Sequence, residues 1–135
     1  MNDLERACIL IVEDNFDNFR LMARLLAFRG IRNCEWKTSG SQVVEFADSL
    51  PRVDLVLMDL YLPGEDGYQV LARLRAHPKF ANTLVVVITA EATESNLLRA
   101  HEAGFDGFIG KPINSALFPD QIRQILEGEA VWKLA

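Results

Sequence analysis

Four short segments of this chain each finish on a residue able to do chemistry. Cys8 to Val12 is an apolar, β-branched run followed at once by Glu13 and Asp14. Leu55 to Met58 is a second apolar run, ending in Asp59 before a loop marked by Pro63, Gly64 and Gly67. Leu84 to Thr89 finishes on a hydroxyl followed by the small Ala90, and Gly107 to Gly110 leads directly into Lys111-Pro112. Short apolar runs bounded by turn residues read as strands buried on both faces. Taken singly, the polar ends mean little: an acidic pair is often a solvated turn, and a strand-end threonine is often a cap. On neighbouring parallel strands they would share one edge, where open α/β sheets bind ligands. Three carboxylates there repel one another and persist as anions only with a cation among them. An all-oxygen set with open positions suits Mg²⁺, which makes Glu13, Asp14 and Asp59 candidate metal ligands. A phosphoryl group on Asp59 would meet the ion through one oxygen. Lys111, on the opposite side of Asp59, and the Thr89 hydroxyl would take the other two, with Ala90 leaving room.

Helices must carry the chain from each strand to the next. Asn15 to Arg29 has helical periodicity, with Asn18, Leu21, Met22 and Leu25 on one stripe and Gly30 as its stop. Asn33 to Lys37 reads as a further, more exposed strand. Thr38-Ser39-Gly40-Ser41 offers caps for a helix that presents Val43, Val44 and Phe46 and runs to about Ser49. A third helix begins at Asp66 or Gly67, turns Val70, Leu71 and Leu74 inward, and ends at His77-Pro78. A fourth begins at Thr93 or Glu94 and stops at Gly104. After Ile113 a last helix turns Phe118, Ile122, Ile125 and Leu126 inward, and Pro119 fits only in its first turn. Strand and helix alternate without repeat or linker. The expected fold is therefore α/β: a doubly wound five-stranded parallel sheet, strand order 2-1-3-4-5, with five helices, flavodoxin-like. Residues 7–127 form the expected domain, and 128–135 a short tail that either extends the last helix or docks Trp132.

The sequence resembles the receiver domain of two-component response regulators from about Ala7 to Leu126. The residues that carry the likeness are Ile9-Leu10-Ile11-Val12-Glu13-Asp14-Asn15, Leu57 to Gly67, Ile88-Thr89-Ala90 and Gly110-Lys111-Pro112. The resemblance implies that Asp59 is a phospho-acceptor, charged by the phosphohistidine of a histidine kinase or a histidine phosphotransfer protein. It implies that Glu13, Asp14, Asp59 and the backbone carbonyl of Tyr61 hold Mg²⁺, that Thr89 and Lys111 bind phosphoryl oxygens, and that the Lys111-Pro112 bond is cis. It also implies a switch, in which Thr89 moves toward the phosphate and an aromatic three residues before the lysine turns inward. Here that aromatic is Phe108, which keeps the packing of the usual tyrosine without its hydroxyl, and an outward Phe108 rotamer is expected without phosphate. Tyr61, two residues past the acceptor, is expected to shield an acyl phosphate from water, whereas Glu91 could orient water toward it. Phe16 falls away from the inward stripe of the first helix and suggests a docking patch for a kinase or phosphotransfer helix pair. With no output domain in the sequence, the output is expected to be a downstream protein. It would be bound through the helix from Thr93, the strand Gly107 to Gly110 and the last helix.

The totals are ordinary for a soluble globular domain. The chain has 135 residues, one domain's worth, and a net charge of −5 with no Lys/Arg-rich run, which argues against nucleic acid as a partner. No apolar run approaches a membrane span, and the acidic amino terminus lacks a signal peptide's basic start, so the expected location is cytoplasmic. Cys8 and Cys34 read as small packing residues. The expected oligomeric state is monomer or weak homodimer. No enzyme activity is expected beyond the chain's own phosphorylation and dephosphorylation. A pseudo-receiver that never takes phosphate would keep the fold. A phosphatase with an aspartyl-phosphate intermediate wants an acid where Tyr61 stands. A flavin carrier wants a Ser/Thr/Gly-rich loop where Glu13-Asp14-Asn15-Phe16-Asp17 stands.

Overall fold

The computed structural model describes residues 3–134, so Met1 and Asn2 of the acidic amino terminus and Ala135 of the tail lie outside the described residues. The elements in chain order are α1 (Asp3–Arg6), β1 (Cys8–Val12), α2 (Phe16–Ala27), β2 (Asn33–Lys37), α3 (Val43–Ser49), β3 (Leu55–Met58), α4 (Gly67–Ala76), β4 (Leu84–Thr89), α5 (Glu94–Ala103), β5 (Gly107–Gly110), α6 (Phe118–Leu126) and β6 (Trp132–Lys133). All strand pairs are parallel, in the order β2-β1-β3-β4-β5-β6. The expected order of the first five strands is observed. The expected count is corrected on both sides: among the described residues the sheet has six strands rather than five, and there are six helices, the additional one being the single turn α1.

Alternation along the strands divides the core into two layers. Leu10, Val12, Val56, Met58, Val85, Val87 and Phe108 face α3, α4 and α5 and pack with Val43, Ala47, Val70, Leu71, Leu74 and Ala100. Ile9, Ile11, Leu55, Leu57, Val86, Ile88 and Ile109 face α2 and α6 and pack with Met22, Leu26, Phe118, Ile122 and Ile125. Every residue of β1, β3 and β5 is buried, which is why these segments read as unbroken apolar runs. Each fully buried Leu, Ile or Val contributes about 1.5–3 kcal/mol, so these layers hold the strand ends in fixed register.

Local signals explain the helix ends. Asn15 caps α2 by accepting from the Asn18 amide, Asp66 and Gln69 form a reciprocal capping box on α4, and Thr93 caps α5 by accepting from the Asn96 amide. Gly104 ends α5 at φ 104°, a conformation that needs glycine. Pro119 does fall in the first turn of α6. Two helix readings are corrected. The inward stripe of α2 is Met22 and Leu26, with Leu25 partly buried against the same layer as expected; Asn18 is exposed, and Leu21 is 41% exposed, at a rim beside Lys111, Pro112 and Ile113. The cap position of α3 is Gln42, which makes no side-chain cap bond, rather than the Thr38–Ser41 run.

The tail neither extends α6 nor merely docks. It runs beside β5, with Phe108 paired to Trp132 and Ile109 to Lys133, and the Phe108 amide donates to the Val131 carbonyl at 2.8 Å. Two glycines admit it. A methyl at Gly107 would lie 2.9 Å from the Val131 carbonyl oxygen, and one at Gly110 would collide with the Leu134 carbonyl. The Trp132 ring also packs against His101 on α5 at 4.8 Å. Among the described residues, no helix is long and apolar enough to cross a membrane.

Candidate functional site

Parallel pairing brings the four strand ends together. Val12 lies opposite Met58, Met58 opposite Val87, and Thr89 opposite Gly110. The next residues, Glu13, Asp59, the start of the β4–α5 loop and Lys111, therefore leave the sheet at one edge. The Lys111 amide donates to the Thr89 carbonyl at 2.8 Å, which ties the last two of these ends directly. The bond between Lys111 and Pro112 is cis.

Lys111 is the centre of the cluster. Its ammonium donates to Glu13 Oε1 at 2.7 Å and to Asp59 Oδ2 at 3.2 Å. The three side chains are enclosed to different degrees: Glu13 is 2% exposed, Asp59 15% and Lys111 17%. Burial works against the ammonium, but the bond to Glu13 and the charges of Asp59 and Glu13 outweigh it and hold the Lys111 pKa above the usual lysine value. The expectation placed Lys111 on the side of Asp59 opposite the acidic pair; instead it bridges Glu13 and Asp59. A carboxylate as buried as Glu13 needs a counter-charge, and the Lys111 amine reaches it.

The remaining expected residues divide into those the fold gathers and those it leaves outside. Thr89 is fully buried, and its hydroxyl accepts from the Glu91 amide at 3.1 Å. Asp14 is exposed beyond Glu13. Among the described residues, no three Asp, Glu, His or Cys side chains are drawn together closely enough to hold a metal ion. Tyr61 sits over the edge: its amide donates to Asp59 Oδ1 at 3.2 Å, and its half-exposed ring reaches Asn96 Oδ1 with the hydroxyl at 3.5 Å. Phe108, expected to sample an outward rotamer, is fully buried, and Trp132 packs against the same core layer. Phe16 is 52% exposed, as expected of a residue off the inward stripe, and it leans on Trp36 and Phe19.

Whether the donor set suits a divalent ion can be tested on one atom. Glu13 Oε2 is buried and has no hydrogen-bond partner. A buried carboxylate oxygen left unpaired costs about 1–3 kcal/mol, more when charged, unless a cation or water meets it. With Asp59, the exposed Asp14 and the Tyr61 carbonyl within the same loops, the oxygens at hand fit Mg²⁺ in chemistry.

Two residues near the site were not legible in the sequence. The Trp36 indole N–H donates to the Glu13 carbonyl at 2.7 Å from the edge strand β2. Asn96 donates to the Glu91 carbonyl at 2.9 Å and receives the Tyr61 hydroxyl, bridging the two loops that flank Asp59. Neither belongs to a spacing that marks a site. A surface cavity at the amino-terminal end of the strands, lined by Leu4, Ala7, Arg52, Asp54 and Leu126, shares no residue with this edge.

Residues 9–124 match the response regulator receiver domain. The chain is 32% identical over 109 residues to the osmosensing histidine protein kinase SLN1 of Saccharomyces cerevisiae, covering 78% of this chain but only 9% of that protein. It is 30% identical over 119 residues to the chemotaxis protein CheY-3 of Vibrio cholerae, covering 88% of this chain and 91% of that one. Among solved structures, the Mn(2+)-bound form of response regulator Rcp1 superposes with a TM-score of 0.75 at 27% identity, covering 90% of this chain and 96% of Rcp1. With the carboxylates and the lysine of the motif gathered at one edge of a 2-1-3-4-5 sheet, and a family match across nearly its whole length, the chain belongs to the response regulator receiver domains of two-component signalling.

Proposed function

We propose that the chain is a phosphorylation switch in which Asp59 accepts a phosphoryl group from a histidine kinase or a histidine phosphotransfer protein. The observation that carries this reading is the Lys111 ammonium held between Asp59 and the buried Glu13 at the carboxyl end of the sheet. A carboxylate oxygen of Asp59 attacks phosphorus, the phosphorus–nitrogen bond of the donor phosphohistidine breaks, and its electron pair leaves with the imidazole. Lys111 is poised to neutralise one phosphoryl oxygen, and the Thr89 hydroxyl to donate to another once it turns from the Glu91 amide. Glu13, Asp14, Asp59 and the Tyr61 carbonyl would hold Mg²⁺, which when bound would offset the negative charge on the phosphoryl oxygens. The Mn(2+)-bound form of Rcp1, a relative of the same fold, favours a divalent ion here. Tyr61, fastened to Asn96, covers the acceptor and slows loss of phosphate to water. The change is read by a downstream protein at the face made by α5, β5 and α6, where β6 lies along β5, through Thr89 and Phe108.

Incubation with acetyl phosphate and Mg²⁺, followed by intact mass spectrometry, tests this. The wild type gains one phosphoryl group, and Asp59→Asn or chelation of the metal abolishes the gain. An unmodified wild-type mass would make the chain a binding module that keeps the fold without the chemistry.

A further inference from the structure

The acidic loop is held from outside the acidic constellation. Both backbone groups of Glu13 are bonded to β2: its amide donates to the Lys37 carbonyl at 2.9 Å, and its carbonyl accepts the Trp36 indole N–H at 2.7 Å. Trp36 in turn has little freedom. Its ring stacks on Phe19 at 4.9 Å with 8° between the planes, and Phe16 packs on it at 5.3 Å. Both phenylalanines belong to the first turns of α2, the helix that Asn15 caps.

The Glu13 carbonyl lies in the same rigid plane as the Asp14 amide. Fixing that oxygen fixes the plane, and with it the placement of the Asp14 Cα from which that side chain departs. This matters most for Asp14, which is exposed, whereas the Glu13 side chain is also held by Lys111. Without the indole bond, rotation of the peptide plane would swing the Asp14 carboxylate while leaving Glu13 on its lysine.

We propose that Trp36 is a positioning residue for the divalent-ion site: by one hydrogen bond it orients the Glu13–Asp14 peptide so that both carboxylates can serve one ion. This rests on the phosphorylation-switch reading above, and it assigns to the edge strand β2 a part in the chemistry. Trp36→Phe keeps a ring to stack on Phe19 and removes only the N–H donor. Magnesium titration by calorimetry then gives a dissociation constant about two- to tenfold weaker than the wild type, the range one net hydrogen bond supplies. In the acetyl phosphate reaction the half-saturating Mg²⁺ concentration rises by the same factor and the rate at saturating Mg²⁺ is retained. Phe80→Leu, a cavity at the amino-terminal end of the sheet, is the control: it lowers the melting temperature with Mg²⁺ affinity unchanged.

A second measurement needs no substitution at Trp36. In the ¹H–¹⁵N spectrum of the Trp132→Phe protein, the Trp36 indole cross-peak moves on Mg²⁺ titration with the midpoint found by calorimetry. Equal Mg²⁺ affinity in Trp36→Phe and wild type, equal weakening in Phe80→Leu, or a static indole cross-peak overturns the assignment. A wild type with no Mg²⁺ affinity overturns the phosphorylation-switch reading itself, so the two failures are distinguishable.

Discussion

Replacing Lys111 by methionine removes the charge from the centre of the site while keeping most of its volume. In the wild type the ammonium lies 2.7 Å from Glu13 Oε1 and 3.2 Å from Asp59 Oδ2. Removing one partner of a buried ion pair costs about 3–5 kcal/mol, because the other charge stays buried and unmatched. Glu13 is enclosed, but Asp59 keeps some contact with water, so about 3 kcal/mol is the expected loss. In a domain of this size that lowers the melting temperature by about 10 °C. The pH dependence has a definite sign. The Lys111 pKa is raised on folding, so its contribution is fully present below the ordinary lysine value of 10.5 and is lost as pH rises through its higher folded value. Divalent ions supply the missing charge, so Mg²⁺ stabilises the variant more than the wild type. Urea unfolding followed by far-UV circular dichroism, first in chelator and then in Mg²⁺, measures both effects. Stabilities within about 1 kcal/mol of each other in chelator, or a smaller Mg²⁺ increment in the variant, would refute the reasoning.

Gly110→Ala places a methyl group against the Leu134 carbonyl and 2.7 Å from Ala92 Cβ, and is expected to detach β6. Trp132 fluorescence shifts to the red and the Phe108 amide exchanges faster, while global stability falls by at most about 2 kcal/mol, since ordering the tail offsets its burial; an unchanged spectrum would show that the tail tolerates the methyl. Tyr61→Ala opens the cover over Asp59 and shortens the lifetime of the phosphorylated protein several-fold, read by loss of the added mass after rapid desalting; equal lifetimes would remove Tyr61 from this role. Burial pushes the Cys34 thiol up to about 11 and also raises that of Cys8. Both are expected to react slowly with Ellman's reagent at neutral pH until urea is added, and to lower native stability only as pH rises above the ordinary thiol value of 9.0.

Much of this molecule is written in local chemistry. Strands buried on both faces require unbroken apolar runs, and helices need caps and stops, so β1, β3, β4 and β5 and the caps at Asp66, Thr93 and Gly104 follow from composition and spacing alone. Alternation of strand and helix, with right-handed crossovers, then leaves few sheet orders, which is why Glu13, Asp59, Thr89 and Lys111 could be placed at one edge before any coordinates. What spacing cannot carry is contact between side chains far apart in sequence. Whether Lys111 stands across Asp59 from the acidic pair or between Glu13 and Asp59 depends on how far Glu13 is enclosed, and that is decided by the packing of the whole edge. The bond from Trp36 to the Glu13 carbonyl depends on where the edge strand lies against β1 and on two rings of α2. The tail becomes a sixth strand because Gly107 and Gly110 leave the edge of β5 bare, a vacancy that appears only when the two segments meet in space. Local sequence dictates which backbone each segment prefers, whereas partners for buried charges and bare edges are settled only when the chain has closed on itself.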